Sequence, residues 1–398
     1  MKVMFVLPCM KGGGAERVAA LLANEFHKAG IETSVVLTSS TPDSVVRVDL
    51  DEAVSLKCLC EIPTKENLFS SFGRKIAHIG SAIVCKCYER LKKAVPAGWA
   101  YLSFWSQYGN EIKKLRSILR NDPELRVISF LQPSIPMTVL ASRGLPNRII
   151  ISERGNPNRI FGKRYGWKFI SRFYLRADAV VFQTYEAQKA YPERISKKGS
   201  VIPNPIKQGL PAPYFGVRNK NITTFCRISP DKDLGVLIEA FGLLHKDHPD
   251  YRLRIIGDAV NEKERDLLER LKKQVQCLGL DCSVDFLPFS PTVHAEILHD
   301  AMYVNSSETE GLSNAMLEAM AIGLPVVCTD CPIGGARATI TDGVNGLLVP
   351  IKDHNALYQA MRRLIEEPGL AEKLSYHAAM LRNHLQLNKI AEMWMKLL

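Results

Sequence analysis

Short apolar runs alternate with amphipathic stretches along most of the chain, and this alternation constrains the fold more than any other feature. Residues 3–7 form such a run, followed by a glycine turn, a helical stripe over residues 15–28 and a second run over residues 31–38. Strands that are apolar throughout suit a parallel sheet covered by helices on both faces. The sequence therefore predicts a doubly wound α/β domain. Its further strands are predicted at residues 127–131, 149–152 and 179–183.

A proline-rich segment interrupts the alternation between Gly199 and Lys220, where the chain has four prolines. Such a segment is typical of a hinge between domains. The predicted α/β architecture is two Rossmann-like domains, residues 1–204 and 205–380, that face each other across a cleft. Residues 381–398 are predicted to form a C-terminal helix that packs back towards the N-terminal domain. Strands of the second domain are predicted at residues 223–227, 253–257, 284–287, 303–306, 326–328 and 346–349.

Positive charge is concentrated in the first half of the chain. The net charge is +11, yet residues 1–200 carry +14 and residues 201–398 carry −3. This asymmetry predicts an anionic partner for the basic half: a phosphate-bearing membrane, nucleic acid or a polyanionic substrate. The sequence has no apolar run of about 18 residues that would span a membrane. Its ten cysteines are too sparse for a disulfide framework, so we expect a cytosolic protein with reduced thiols and no metal site.

Residues 11–17 form a glycine-rich turn between the first predicted strand and helix. Glycines lack a Cβ, so backbone N–H groups there can approach an anion, and the helix start adds a partial positive charge. The pattern favours a phosphate site at Gly13 and Gly14. It is not the Gly-x-Gly-x-x-Gly pattern, so NAD binding has weak support, and a plain tight turn is the alternative.

Two cations, Arg227 and Lys232, follow the first predicted strand of the second domain. At a strand end before a helix they can clamp a diphosphate, the arginine as a bidentate donor and the lysine as a point charge. A solvated charged turn is the alternative interpretation.

Two carboxylates, Glu310 and Glu318, flank the start of another predicted helix. Gly311 allows a tight entry into this helix, whose N-terminus can receive a phosphate. About two helical turns separate the carboxylates, so they can reach different parts of one elongated ligand, such as the hydroxyls of a sugar or a ribose. A helix-capping role for Glu310 is the alternative.

Four features occur in one order along the chain: the turn at residues 13–17, the segment 201–205, the cations Arg227 and Lys232, and the spacing Glu310-x7-Glu318. In this order and spacing they resemble the retaining family-4 glycosyltransferases of GT-B fold. The resemblance covers nearly the whole chain. It implies a nucleotide-sugar donor, with UDP as the expected nucleotide, held by the second domain, and an acceptor held by the first.

The resemblance also assigns roles to these residues. Glu318 would bind the ribose hydroxyls, and Glu310 would contact hydroxyls of the transferred sugar. Arg227 and Lys232 would neutralise the diphosphate as it leaves, so that no metal or other cofactor is required. The predicted catalytic residues are therefore Arg227, Lys232 and Glu310. The predicted donor contacts besides Glu318 are Gly13, Gly14, Gly257, Gly311, Leu312 and Ser313.

The sequence departs from the family after the strand predicted at residues 149–152. Many relatives carry a histidine near the sugar there, whereas this chain has Glu153 and Arg154. Glu153 is either a general base or a cap of the following turn. Retaining members are thought to need no enzymic base, since the departing phosphate can accept the proton of the acceptor. The residues predicted on the acceptor or sugar side are Glu16, Glu153 and Arg154.

Basic and aromatic residues are mixed along residues 72–93 and 158–176. This mixture is typical of helices that lie on an anionic lipid surface. Nucleic acid is the competing partner, and a solvated face with inward aromatics is a third interpretation. Related enzymes with a basic acceptor domain commonly extend sugars on lipid carriers such as undecaprenyl diphosphate, which favours the membrane. The residues predicted to face it are Lys86, Lys92, Lys93, Arg164, Trp167 and Lys168.

The leading hypothesis is a retaining glycosyltransferase that moves a hexose or N-acetylhexosamine from a UDP-sugar to a lipid-linked or polysaccharide acceptor. It is expected at the cytoplasmic face of the cell membrane as a peripheral protein. One alternative is a nucleotide-sugar epimerase of the same fold, and another is a non-catalytic membrane- or nucleic-acid-binding scaffold. The two acids and two cations argue against a scaffold, because a scaffold needs none of them.

Overall fold

The chain forms two compact units, Met1–Pro203 together with Leu387–Leu398, and Asn204–Gln386. The structure is a computed structural model, and it describes residues 1–41, 45, 49–60, 97–155 and 167–398, without the side chains of residues 97–100, 167–170 and 368. Both units are layered α/β structures with a parallel sheet. The prediction of an α/β fold built from two doubly wound sheets is therefore confirmed.

The first unit contains a seven-stranded parallel sheet in the order β3-β2-β1-β4-β5-β6-β7. The order reverses beside β1, so the loops that follow β1 and β4 lie at the topological switch point of the sheet. The strands are β1 Lys2–Leu7, β2 Glu32–Leu37, β3 Ser55–Cys58, β4 Arg126–Phe130, β5 Ile149–Ser152, β6 Ala179–Phe182 and β7 Gly199–Val201.

Helices lie between these strands along the chain. The first of them buries Val18, Leu22 and Phe26, which recur every four residues and so share one helical face. Its last turn precedes Gly30, whose φ of +78° turns the chain towards β2. The helices of this part are α1 Gly14–Lys28, α2 Ala97–Asn121, α3 Ser134–Ala141, α4 Trp167–Tyr174, α5 Tyr185–Lys189 and α6 Glu193–Ser196.

The second unit contains a six-stranded parallel sheet in the order β10-β9-β8-β11-β12-β13. Here β8 and β11 are neighbours, although 76 residues separate the end of one from the start of the other. The carboxyl ends of β8 and β11 therefore bring distant loops together at a switch point. The strands are β8 Asn221–Phe225, β9 Arg252–Ile256, β10 Val284–Leu287, β11 Met302–Asn305, β12 Val326–Thr329 and β13 Leu347–Val349.

Apolar side chains of both layers form the core of this unit. Leu237 and Phe241 pack with Ile255 and Val304 of the sheet, and all four are fully buried. Each such side chain contributes about 1.5–3 kcal/mol through burial. The helices are α7 Leu234–Asp247, α8 Glu262–Cys277, α9 Val293–Glu296, α10 Asn314–Ala321, α11 His354–Glu366 and α12 Pro368–Ala379, with 3-10 turns at Pro230–Lys232 and Met380–Asn383.

The last helix, α13 Leu387–Met395, belongs to the first unit. Its Trp394 is fully buried, and the indole stacks on Phe130 of β4 with 5.8 Å between ring centroids. Such an aromatic pair stabilises the contact by about 0.5–1.5 kcal/mol beyond its burial. Among the helices that the structure describes, none is both long enough and apolar enough to cross a membrane.

Candidate active site

Lys232 and Glu310 form an ion pair at the carboxyl ends of neighbouring strands in the second unit. Lys232 ends the 3-10 turn after β8, and Glu310 lies in the loop after β11. The Lys232 Nζ atom is 2.5 Å from Glu310 Oε2, and the two side chains are 19% and 21% exposed. The structure thus brings together two of the three residues that the sequence predicts as catalytic.

Hydrogen bonds between the two loops hold this pair. The Ser306 hydroxyl donates to the Lys232 carbonyl oxygen at 2.9 Å, and the Glu308 N–H donates to the Asp231 carbonyl oxygen at 2.9 Å. The Ser307 hydroxyl donates to Glu310 Oε2 at 3.1 Å. The loops are therefore joined through both backbone and side chains, which fixes the positions of the charged groups.

The protonation state of Lys232 follows from two opposing effects. Burial lowers the pKa of Lys232, but the charge of Glu310 and the hydrogen bond to it outweigh burial, so the pKa is raised overall. The amine consequently stays protonated at neutral pH. It provides a partly buried cation, and a cation in this environment acts on an anionic ligand with little screening by solvent.

Arg227 makes a different ion pair from Lys232. Its Nε atom is 3.3 Å from Oε1 of Glu264 in α8, and its side chain is 58% exposed. The exposed guanidinium lies in the loop after β8, and the carboxylate that it contacts is not Glu310. Such an exposed pair contributes little to stability. Among the described residues, no group of three or more His, Cys, Asp or Glu side chains could hold a metal ion.

Glu318 lies in α10, and its carboxylate contacts His294 of α9. The His294 Nε2 atom is 2.7 Å from Glu318 Oε2, and the side chains are 9% and 4% exposed. Sequence reasoning missed His294. It is a single histidine in a four-residue helix, and no motif connects it to a glutamate 24 residues further along the chain.

Two other residues, neither of which had a predicted role of its own, hold the start of α10. The Asn204 side-chain amide donates to the Leu312 carbonyl oxygen at 2.9 Å and to Asn314 Oδ1 at 2.7 Å. Gly335 packs so closely that a Cβ there would lie 1.4 Å from the Gly311 carbonyl oxygen. The Ser313 hydroxyl accepts from the Met316 N–H at 3.4 Å as the N-cap of α10.

Gly257 follows β9 and allows a close approach between two backbone segments. Its φ is +146°, and a Cβ there would lie 1.9 Å from the Cys226 carbonyl oxygen. Cys226 immediately precedes Arg227 in the loop after β8. Because glycine has no side chain, Gly257 lets the loop after β8 lie close to the end of β9.

In the first unit, the glycine-rich turn surrounds the carboxylate of Glu16. Glu16 Oε2 accepts hydrogen bonds from the Lys11 N–H at 2.5 Å and from the Gly13 N–H at 3.0 Å. The Cys9 thiol donates to Glu16 Oε1 at 3.0 Å, and burial together with Glu16 raises the pKa of Cys9 to about 12. The Gly13 N–H, predicted to contact a donor phosphate, thus has a carboxylate of the same chain as its partner here.

Glu153 caps the turn that follows β5. Its Oε1 atom accepts from the N–H groups of Arg154 and Gly155, both at 2.9 Å, and Oε2 accepts from the Tyr174 hydroxyl. Burial raises the pKa of Glu153, while these hydrogen bonds act in the opposite direction. Of the two interpretations that the sequence left open, this geometry is that of a turn cap.

Arg154 packs against two aromatic rings. Its guanidinium carbon lies 4.9 Å from the ring centroid of Phe130 and 5.7 Å from that of Trp394, and its Nε donates to the Ser152 hydroxyl at 2.7 Å. Burial lowers the pKa of Arg154 to about 9. The C-terminal helix α13 therefore takes part in fixing this side chain.

The structure describes no side chain among the residues predicted to face a membrane. Lys86, Lys92, Lys93 and Arg164 lie outside the described residues, and Trp167 and Lys168 begin α4 without described side chains. Their role stays a prediction.

Most of the second unit matches a known protein family. Residues 216–380 match the family of glycosyl transferases group 1. This range contains the loops of Lys232 and Glu310 as well as Glu318 and its partner His294.

Individual relatives and solved structures are similar to larger parts of the chain. An exopolysaccharide phosphotransferase of Streptomyces coelicolor is 31% identical over 224 residues, which are 55% of this chain but only 23% of that protein. The GalNAc-alpha-(1->4)-GalNAc-alpha-(1->3)-diNAcBac-PP-undecaprenol alpha-1,4-N-acetyl-D-galactosaminyltransferase of Campylobacter jejuni is 24% identical, with 100% of this chain and 98% of the relative covered. The crystal structure of Anabaena HepE in complex with UDP and glucose superposes with a TM-score of 0.75 at 17% identity, covering 100% of this chain and 98% of the other. The protein therefore carries a glycosyltransferase group 1 domain and has the GT-B fold of glycosyltransferases.

Proposed function

We propose that the protein is a retaining glycosyltransferase that moves a hexose or N-acetylhexosamine from a UDP-sugar to a lipid-linked or polysaccharide acceptor. The observation that carries this proposal is the ion pair of Lys232 with Glu310 at the switch point of the second sheet. The presence of UDP and glucose in the HepE crystal structure supports a UDP-sugar donor. The name of the Campylobacter relative, which specifies an undecaprenol-linked substrate, supports a lipid-linked acceptor.

In this proposal, the bound donor separates Lys232 from Glu310, and each side chain then contacts a different part of the ligand. The diphosphate takes Lys232 as its cation, and Arg227 adds charge from the same loop. Glu310 turns to hydroxyls of the sugar, and Glu318 binds those of the ribose. N–H groups at Gly311, Leu312 and Ser313, before α10, add a partial positive charge near the phosphates.

The proposed reaction exchanges one bond at the anomeric carbon for another on the same face of the sugar. The bond from the anomeric carbon to the diphosphate oxygen breaks, and UDP leaves with the electron pair. The acceptor oxygen bonds to the same carbon, and its proton passes to the departing phosphate. Lys232 lowers the barrier because negative charge grows on the phosphate oxygen in the transition state. The scheme needs no metal or other cofactor, and it assigns no proton transfer to Glu153, whose carboxylate caps a turn.

Release of UDP from a panel of UDP-sugars tests this function. Wild-type protein should release UDP with one or a few of these sugars, and faster when a glycan acceptor is added. Glu318→Ala should lower kcat/KM by roughly 10- to 100-fold because the ribose loses hydrogen bonds to a charged group. Equal turnover by wild type and this variant would contradict the assignment. Conversion of one UDP-sugar into another without use of an acceptor would favour the epimerase alternative.

We also propose that the first unit lies on the anionic inner face of the cell membrane, because basic and aromatic residues are mixed along residues 72–93 and 158–176. Each basic side chain near such a surface contributes about 1 kcal/mol, an attraction that salt weakens. Nucleic acid is the disfavoured partner.

The triple variant Lys86→Glu, Lys92→Glu and Lys93→Glu should bind anionic liposomes at least tenfold more weakly in a sedimentation assay. Donor hydrolysis should continue. The matched control changes three exposed lysines of α8 to glutamate: Lys263, Lys272 and Lys273. An equal loss in both triple variants, or unchanged partitioning of the first, would remove this proposal.

A further inference from the structure

We propose that His294 is a positioning residue that fixes the Glu318 carboxylate for the ribose of the nucleotide. This inference rests on the proposed function, in which Glu318 binds the ribose hydroxyls, and it goes beyond that function by assigning a residue outside the motif. His294 would make the site selective for ribonucleotides through a residue that does not touch the ligand.

The contact itself is short and shielded from solvent. His294 Nε2 and Glu318 Oε2 are 2.7 Å apart, and both residues are buried. A carboxylate that binds ribose hydroxyls acts as an acceptor, so we assign the hydrogen of this contact to His294 Nε2. A charge-assisted hydrogen bond of this length restricts rotation of the carboxylate. A carboxylate has about four acceptor positions, so this bond is compatible with further bonds from vicinal hydroxyls.

The backbone that carries His294 is held at both ends of α9. The Thr292 hydroxyl, just before α9, donates to Glu296 Oε1 at 2.8 Å, and the Ile297 N–H, just after it, donates to the Val293 carbonyl oxygen at 3.0 Å. The ring packs edge-on against Phe225, with 5.6 Å between centroids and 83° between planes. The backbone therefore fixes where the side chain starts, and the Phe225 ring restricts how the imidazole can turn, as a residue that orients another side chain requires.

Phe225 also connects His294 to the loop after β8. It is the last residue of β8, and the loop that follows it carries Arg227 and Lys232. His294 thus joins β8, α9 and α10, the three elements around the predicted nucleotide site. A histidine that only filled space could be replaced by another ring, whereas one that orients Glu318 needs a donor at Nε2.

Nucleotide binding by calorimetry separates these two roles. The ligands are UDP and 2′,3′-dideoxy-UDP, which lacks both ribose hydroxyls. Wild-type protein should prefer UDP about tenfold or more, since Glu318 accepts from these hydroxyls. His294→Phe should raise the Kd for UDP about tenfold and change the Kd for the dideoxy analogue less than twofold. His294→Gln should keep most of the preference, because its amide nitrogen can occupy the position of Nε2.

Two further variants distinguish a lost hydrogen bond from a general loss of folding. His294→Asn keeps a polar side chain that is too short to bring its amide to Nε2, so it should lose the preference as the Phe variant does. The matched control is His245→Phe, which removes a partly buried histidine whose Nε2 contacts the Ser283 hydroxyl at 3.1 Å elsewhere in the second unit. This control should keep the wild-type preference for UDP.

The inference is overturned if His294→Phe and His294→Asn keep the wild-type preference. It is also overturned if they weaken both ligands by the same factor, because a packing role alone predicts that result. A different result would contradict the proposed function itself. If wild-type protein itself binds the two ligands equally, and Glu318→Ala changes neither Kd, Glu318 does not bind the ribose and His294 has nothing to position.

Discussion

Replacement of Lys232 with alanine is expected to lower kcat for UDP release by about 100- to 1000-fold, the range seen when one preorganised transition-state donor is removed. Lys232 provides a partly buried cation beside the loop after β11, and Glu310 keeps it protonated by raising its pKa. The charge that it would stabilise grows only as the diphosphate leaves, so kcat should fall more than KM rises. Lys232→Arg keeps the charge with a different geometry and should lose less activity.

A neighbouring lysine provides the control for this prediction. Lys352 contacts Glu308 in the same loop as Glu310, with Nζ 3.1 Å from Oε1, but its side chain is 60% exposed. Lys352→Ala should therefore leave kcat within about twofold, because an exposed ion pair has little energetic effect. Equal rates for Lys232→Ala and Lys352→Ala would show that charge at this position does not drive the reaction.

Gly257→Ala is expected to destabilise the second unit by about 3 kcal/mol, the upper end of the range for a strained backbone position. The alanine Cβ would need to occupy a point 1.9 Å from the Cys226 carbonyl oxygen, at a φ of +146° that side chains rarely adopt. The strain would also move the loop that carries Arg227. Urea unfolding followed by circular dichroism should show a large fall in the midpoint.

Gly369 provides a matched glycine in α12, where an added Cβ meets no atom within 4 Å. Gly369→Ala should raise stability by about 0.5–1 kcal/mol, because alanine loses less backbone entropy in a helix. If both alanine variants unfold at the same midpoint, the close approach at Gly257 has no energetic role.

The fold could be predicted because its central strands are apolar throughout. Residues 3–7 lie in β1 and are fully buried, as a central strand of a covered parallel sheet requires. The edge strands β3 and β7 were not predicted. Ser55–Cys58 alternates half-buried and exposed residues, and Gly199–Val201 has only three residues at the start of the proline-rich segment. Each of these strands is defined by its hydrogen bonds to a single neighbouring strand. An edge strand is less buried than a central one, so its sequence shows little hydrophobic pattern.

The candidate site could be predicted only where a motif is local. Lys232 and Glu310 each follow a predicted strand, and the motif around each is local; the pairing of β8 with β11, which brings the two side chains together, is seen in the structure. Roles for His294, Asn204 and Gly335 were missed because their partners lie 24, 110 and 24 residues away along the chain, and no spacing rule connects them. The sequence also could not tell that Glu16 accepts the Gly13 N–H, since that depends on the conformation of the turn.

A crystal structure of the protein with bound UDP tests the central claim most directly. That claim is that the loops after β8 and β11, with α10, form the nucleotide site. The account predicts a diphosphate oxygen within about 3.2 Å of Lys232 Nζ and ribose hydroxyls within hydrogen-bond distance of the Glu318 carboxylate. UDP bound elsewhere, or bound with its diphosphate away from Lys232 while the Lys232–Glu310 pair stays intact, would contradict it.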